Sequence, residues 1–299
     1  MLTGIHFLLS YSCNYECDHC FVFSSPRAKG TFTSKQIKTV LDEALTIGTI
    51  NEIYFEGGEP FLFYPVLLEG IRMAHERGFT VGIVSNAYWA ISEEDAILWL
   101  RPLKEAGLTH LSVSDDQFHG DDEADRPPLR AVAAARKLGL DTGSICIEAP
   151  IMADDPNDTS KGEKVVGGGA ILKGRAVEKL ADGLPRTDWK GFDTCPYEDF
   201  ADPQRVHVDA YGHVHICQGV SMGNMWTTPL TRLAKEYSPA DHPVSKILLD
   251  GGPAELAQRA GFDEKMKFVD ACHVCYCARK KLINSFPDVL APNQVYGIE

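Results

Sequence analysis

The chain has 299 residues, 44% hydrophobic and 24% charged, with a formal net charge of −13 at pH 7. Its length suits one large domain or a large and a small one, and the acidic balance argues against a nucleic-acid partner, which wants a basic face. No window approaches the ~18 apolar residues of a membrane span, so no membrane partner is expected.

Nine cysteines, an odd number, cluster at 13/17/20 and 272/275/277. That points to metal binding in a reducing, cytoplasmic compartment rather than to a disulfide framework. Gly4–Leu9 reads as a buried strand, too short and lacking the basic start of a signal peptide. Behind it lies Cys13-Asn-Tyr-Glu-Cys17-Asp-His-Cys20. Three thiolates on one short loop can hold three corners of an iron–sulfur cube and leave the fourth iron open, whereas a structural zinc site normally shows four ligands. On the residues alone, a zinc knuckle or a chance cluster stands beside that reading.

Thr33 and Gln36 form a capping-box pattern that opens a helix to about Ile47; Ile37, Val40, Leu41, Ala44 and Leu45 share one of its faces. A second strand, Glu52–Glu56, ends in Gly57-Gly58-Glu59-Pro60. Two glycines there leave backbone carbonyls unshielded for a close ligand. A helix over 66–77 and a strand over 80–85 lead to Ser85-Asn86. A helix capped by Ser92 and a strand over 110–114 lead to Asp115-Asp116-Gln117-Phe118-His119. A helix over 128–138 and a strand over 141–148 follow, with Cys146 expected in the core.

Strands and helices alternating at a period of roughly 30 residues predict right-handed βαβ units. The fold class expected is α/β, a partial (β/α)6 TIM-like barrel over residues 1–185. Every polar or glycine-rich motif falls just after a strand, and hence on one rim, where such barrels build active sites. Residues 121–125 read as a solvated acidic loop, residues 152–170 as a long loop or linker, and 174–181 as a short closing helix. Residues 186–299 are expected to form a small α+β domain: a hairpin of 205–210 and 213–217 turning at Tyr211-Gly212, then a helical tail carrying Cys272, Cys275 and Cys277.

The CxxxCxxC spacing resembles the signature of the radical S-adenosylmethionine (SAM) superfamily, with His19 in a slot that the superfamily usually fills with Tyr or Phe. The resemblance implies a [4Fe–4S] cluster on Cys13, Cys17 and Cys20, with SAM chelated at the open iron. Reductive cleavage then yields a 5′-deoxyadenosyl radical that takes a substrate hydrogen. By the same resemblance, Gly57, Gly58, Glu59 and Pro60 hold the amino group of SAM, while Ser85, Asn86, Ser114 and Asp115 hydrogen-bond its carboxylate and ribose. Arg175, in Lys173-Gly174-Arg175-Ala176, either faces that carboxylate or stands in solvent at a helix start. Asp116 and His119, on the same rim, are candidate general bases.

Cys195, Cys217, Cys272 and Cys275 are similar in outline to the twitch domain, a shortened relative of the SPASM domain, which holds one auxiliary [4Fe–4S] cluster. A zinc ribbon remains an alternative, and Cys277 is spare. The layout resembles a dehydrogenase of aminoglycoside biosynthesis and, more loosely, peptide and sulfatase maturases. The function implied is oxidation or bond formation on a small molecule, with the auxiliary cluster accepting an electron and a reductant such as flavodoxin or ferredoxin as partner. The alternative is modification of a ribosomally made peptide; with three residues before the first strand, peptide recognition would then fall to a separate protein. A non-catalytic iron–sulfur carrier would have no use for the Gly-Gly-Glu-Pro and Ser-Asn motifs.

Overall fold

β1 (Gly4–Leu8) begins a series of βα units: α1 (Ser34–Ile47), β2 (Glu52–Glu56), α2 (Tyr64–Glu76), β3 (Thr80–Ser85), α3 (Glu93–Glu105), β4 (His110–Ser114), α4 (Pro127–Lys137) and β5 (Asp141–Ile145). These elements belong to a computed structural model that describes residues 1–119, 126–154 and 164–298; the acidic run 121–125 and the middle of 152–170 lie outside the described residues. β1 to β5 pair in parallel, in chain order. Alternation explains the layering. Ile5, Phe7, Ile53, Phe55, Val81 and Ile83 are fully buried in one core with Ile37, Val40, Leu41 and Ala44 of α1. The residues between them, among them His6, Tyr54 and Glu56, face the other side of the sheet. Thr33 caps α1 as expected: its Oγ1 accepts from Gln36 N, and Gln36 Oε1 accepts from Thr33 N. Leu45, expected on the buried face, is exposed, because it turns about 100° around the helix from Ala44, off the stripe that continues at Ile47.

β6 (Ile151–Asp154) and β7 (Lys164–Gly167) form an antiparallel pair where a loop was expected. α5 (Ala176–Lys179) and β8 (Thr187–Asp188) follow. β9 (Arg205–Asp209), β10 (His213–Cys217) and β11 (Val220–Asn224) contain the expected hairpin and add a third strand to it. β9 also pairs in parallel with β1. One open sheet results, ordered β11-β10-β9-β1-β2-β3-β4-β5. Its sixth parallel strand therefore comes from beyond residue 185, on the flank of β1. Cys146 is exposed rather than buried, since β5 is an edge strand and ends at Ile145.

The tail comprises α6 (Leu230–Glu236), α7 (Ser245–Arg259, kinked at Gly251–Gly252), β12 (Lys267–Phe268, paired with β8) and α8 (Ala271–Leu282). A second core joins these elements to the cysteine loop through Leu8, Tyr11, Val22, Ile216, Val274 and Tyr296.

Candidate functional site

The cysteine loop leaves β1 and is anchored from two sides. On one side Cys13 N donates to Ser25 O (3.1 Å) and Ser12 Oγ donates to Ala28 O (2.6 Å). On the other, Glu59 N donates to Ser12 O at 3.0 Å. That second contact requires glycine. Gly57 and Gly58 have φ of +79° and +51°, and a Cβ on Gly58 would lie 2.2 Å from Ser12 O and 2.7 Å from Ser10 O. The turn after β2 thus presses on the loop backbone, as only a residue without Cβ allows.

Glu59 is fully buried, and its carboxylate ties the turn to the end of β3. Oε1 accepts from Phe61 N (3.0 Å) and Ser85 Oγ (2.9 Å), and Oε2 accepts from Asn86 N (2.8 Å). Burial pushes its pKa up to about 7 against the pull of these three donors. Sequence reasoning gave Glu59 to a ligand; the structure shows that its oxygens also bind three internal donors, which position the turn against the end of β3. Ser85 likewise accepts from Ala87 N and Trp89 Nε1, both at 3.0 Å. Asn86 is the member of this group that reaches the thiols. Its Nδ2 donates to Asn14 Oδ1 at 2.9 Å and lies 3.7 Å from Cys13 Sγ.

Cys13, Cys17 and Cys20 carry free thiols. Burial pushes the Cys13 and Cys17 thiols up to about 12, and the proximity of the other thiols adds to the rise. Tyr15 N (3.4 Å) and Asn86 Nδ2 point at Cys13 Sγ, and Ser24 N points at Cys20 Sγ (3.3 Å). Crowded, shielded sulfurs already met by N–H donors fit a cationic cluster, which binds thiolate rather than thiol. These three residues would hold it.

The segment after β4 packs over the loop. Phe118 lies 4.5 Å from the His19 ring, His119 meets His19 edge-on at 5.3 Å, and Tyr15 meets His119 at 5.8 Å. His119 Nδ1 is 2.7 Å from Asp116 Oδ1, and Asp116 Oδ2 accepts from Ile147 N. Burial works to raise Asp116, but the His119 bond and charge outweigh it and hold the carboxyl low. Donation from Nδ1–H leaves His119 Nε2 as an acceptor. Burial lowers His19 to about 4, and its enclosed Nδ1 has no hydrogen-bond partner. Asp116, His119 and His19 thus form one group, with ligand atoms within 4.8 Å of one another. Ser114 is half-buried at the end of β4, and Asp115 pairs with Arg126.

Arg175 is buried, and neither sequence alternative anticipated its contacts. Its guanidinium donates to Cys17 O and Ser24 O, both at 2.7 Å, and its backbone N donates to Cys20 O. It clasps the cysteine loop from behind. Arg175→Ala is expected to cost about 2–4 kcal/mol, because two buried carbonyls lose charge-assisted donors. Arg175→Lys should not restore this, since an ammonium lacks the fork that spans both carbonyls; urea unfolding of the two variants checks both statements.

The second cysteine set lies on the other side of the same segment. Cys195, Cys217, Cys272 and Cys275 line one small cavity of about 20 Å³, together with Lys173 and Arg279. Lys173 Nζ donates to Gln218 Oε1 (2.7 Å) and stands 4.0 Å from Cys217 Sγ. Burial pushes Cys275 up to about 11 and Cys272 further, while Arg279 and Lys173 respectively pull them back. Cys277 is absent from the lining: two residues beyond Cys275 on α8, it turns to another face of the helix. Lys173-Gly174-Arg175 therefore touches both cysteine groups. Gly174 is required there, since its Cβ would fall 2.5 Å from Cys20 O.

Residues 7–154 match the Radical SAM superfamily model. The "Putative peptide biosynthesis protein YydG" of Bacillus subtilis (strain 168) is 29% identical over 111 residues, 37% of this chain and 35% of that protein. The "S-adenosylmethionine-dependent nucleotide dehydratase" of Selenomonas ruminantium is 29% identical over 86 residues, 29% of this chain and 30% of that protein. The matched stretches thus span about a third of these relatives. Among solved structures, SeMet BtrN in an open conformation gives a TM-score of 0.49 at 14% identity, covering 85% of this chain and 89% of that one. Native anSMEcpe with bound AdoMet gives 0.47 at 14%, covering 96% and 97%.

Proposed function

We propose, from the premise that residues 7–154 are a radical SAM superfamily domain, that this chain removes a hydrogen atom from a small-molecule substrate and passes the second electron to an auxiliary cluster, giving net oxidation or a new bond. Cys13, Cys17 and Cys20 would hold the first cluster, which would supply the electron for reductive cleavage of SAM and so the radical chemistry of hydrogen removal. The carrying observation is the assembly of three shielded thiols held against Gly58, Asn86 and Arg175. The chain's own part is positional. Glu59 fixes the turn and the Ser85-Asn86 strand end, Arg175 fixes the loop, and the ring of His19 with Phe118 and His119 shields one side from water. His119, oriented by Asp116, offers Nε2 as proton acceptor on this side. Ser114 and Asp115 bound the site at the end of β4. The expected test result is release of 5′-deoxyadenosine when reconstituted protein meets dithionite and SAM, and its loss in Cys13→Ala. Release undiminished in that variant would overturn the reading.

The auxiliary cluster is supported by the enclosed four-cysteine cavity with its two cations. Four thiolates would close its coordination, which suits electron transfer. Reconstituted protein is then expected to hold about eight irons per chain, and Cys217→Ala about four. Zinc in place of the second set of irons would instead favour a zinc ribbon within the unit 186–299. A flavodoxin or ferredoxin is the proposed reductant, in the cytoplasm.

Peptide modification is the second reading, favoured by the relative named for peptide biosynthesis. The relative named as a nucleotide dehydratase favours the small-molecule reading.

A further inference from the structure

The face of the sheet turned away from α1 to α4 carries a charged cluster that neither cysteine centre uses. His6 of β1 and His207 of β9 are direct cross-strand partners, and both are buried. Glu56, at the end of β2, reaches both of them. Its Oε1 lies 2.9 Å from His207 Nε2 and its Oε2 lies 3.3 Å from His6 Nδ1. Among the described residues Glu56 pairs with these imidazoles and with no lysine or arginine. The enclosed His207 Nδ1 has no hydrogen-bond partner, and His6 Nδ1 has only the 3.3 Å approach of Glu56 Oε2, without hydrogen-bond geometry. Such orphaned buried nitrogens need an explanation, an unseen ion among them.

We propose that His6, Glu56 and His207 form a binding site for one divalent first-row transition-metal cation of the zinc or ferrous class. One ligand atom from each residue lies within 4.8 Å of the others. Donors at ~2.0–2.1 Å from a tetrahedral ion stand about 3.3 Å apart; the two imidazoles approach different oxygens of Glu56, at 2.9 and 3.3 Å, so a bound ion would draw the donors together from their present spacing. Two imidazoles and one carboxylate select zinc, iron or cobalt, and lack the oxygen count that calcium or magnesium takes. Charge agrees. A carboxylate between imidazoles is left with one uncompensated negative charge, which a dication neutralises. Three protein ligands leave one tetrahedral position for a further donor. Tyr54 stacks on His6 at 4.8 Å.

The test is an anaerobic cobalt(II) titration of cluster-reconstituted protein, reading bound cobalt by mass spectrometry, d–d absorption in the visible, and iron and sulfide on the same samples. About one cobalt per chain is expected in addition to the cluster iron. It should be lost in His207→Ala, in the better-filling His207→Gln and in Glu56→Gln, with iron unchanged. No cobalt in the wild type, equal cobalt in all four proteins, or bands dominated by thiolate charge transfer would overturn the site and leave a plain hydrogen-bonded His–Glu–His cluster. The readout does not involve SAM cleavage, so its failure is distinct from failure of the radical reading.

Discussion

Glu59→Ala is expected to unfold about 3–5 kcal/mol more easily than the wild type at pH 6, the largest loss among single changes at this site. Three donors, Phe61 N, Ser85 Oγ and Asn86 N, share the carboxylate inside the protein. Each buried donor left without an acceptor costs ~1–3 kcal/mol, and a truncated side chain in this enclosed position admits little water to replace it. The loss is structural first and catalytic second, since Asn86 is what brings Nδ2 to Cys13. Glu59→Gln keeps the shape but turns an NH₂ toward a donor, so about 1–2 kcal/mol is expected. The pH dependence separates the two forms of the acid. Burial raises the folded pKa from 4.5 to about 7, so the folded state binds the proton more tightly than the unfolded chain. The group's contribution is complete below about 4.5 and is lost as pH rises through 7. Urea titrations across pH 4 to 8 should show that slope in the wild type and not in Glu59→Gln.

Gly58→Ala is expected to cost about 2–4 kcal/mol and to empty the first cluster site. Two terms add. A residue with a Cβ at φ +51° carries ~1–2 kcal/mol of backbone cost. Its Cβ would also meet Ser12 O at 2.2 Å and Ser10 O at 2.7 Å, both backbone atoms of the cysteine loop. Relief requires the loop to move, which shifts Cys13 relative to Cys17 and Cys20. Gly48→Ala is the control, because Gly48 has φ +78° but nothing within 4 Å of its Cβ. It should lose only the ~1–2 kcal/mol of backbone cost and keep all its iron. Iron per chain together with denaturation midpoints distinguishes clash from conformation. Equal behaviour of the two variants would contradict the close packing of turn on loop.

The short-range features were readable in the residues. Cys13, Cys17 and Cys20 announce themselves by spacing, Thr33 and Gln36 by cap chemistry, and β1 to β5 by alternation with amphipathic helices. What escaped depends on pairing across distance. Glu59 and Asn86 are 27 residues apart, and nothing local says that the carboxylate faces Asn86 N. Arg175 contacts carbonyls 158 and 151 residues away. β9 docks on β1 across almost 200 residues, so a hairpin that sequence pattern gives to a separate unit becomes part of the main sheet. The same docking creates the His6–Glu56–His207 cluster. No motif encodes it, because strand alternation alone turned those side chains inward. Cys146 fails in the opposite sense: an apolar residue type is no guide to burial just past the end of an edge strand.

The central claim is that Cys13, Cys17 and Cys20 hold a cluster with one iron open to SAM. Electron paramagnetic resonance of a variant with Cys195, Cys217, Cys272 and Cys275 all changed to alanine tests it directly, since only the first site can then hold a cluster. After dithionite reduction, SAM labelled with ¹⁵N at the amino group should shift the spectrum and introduce a nitrogen coupling that the unlabelled compound alters in the known isotopic ratio. A reduced spectrum that is the same with and without SAM would contradict the account.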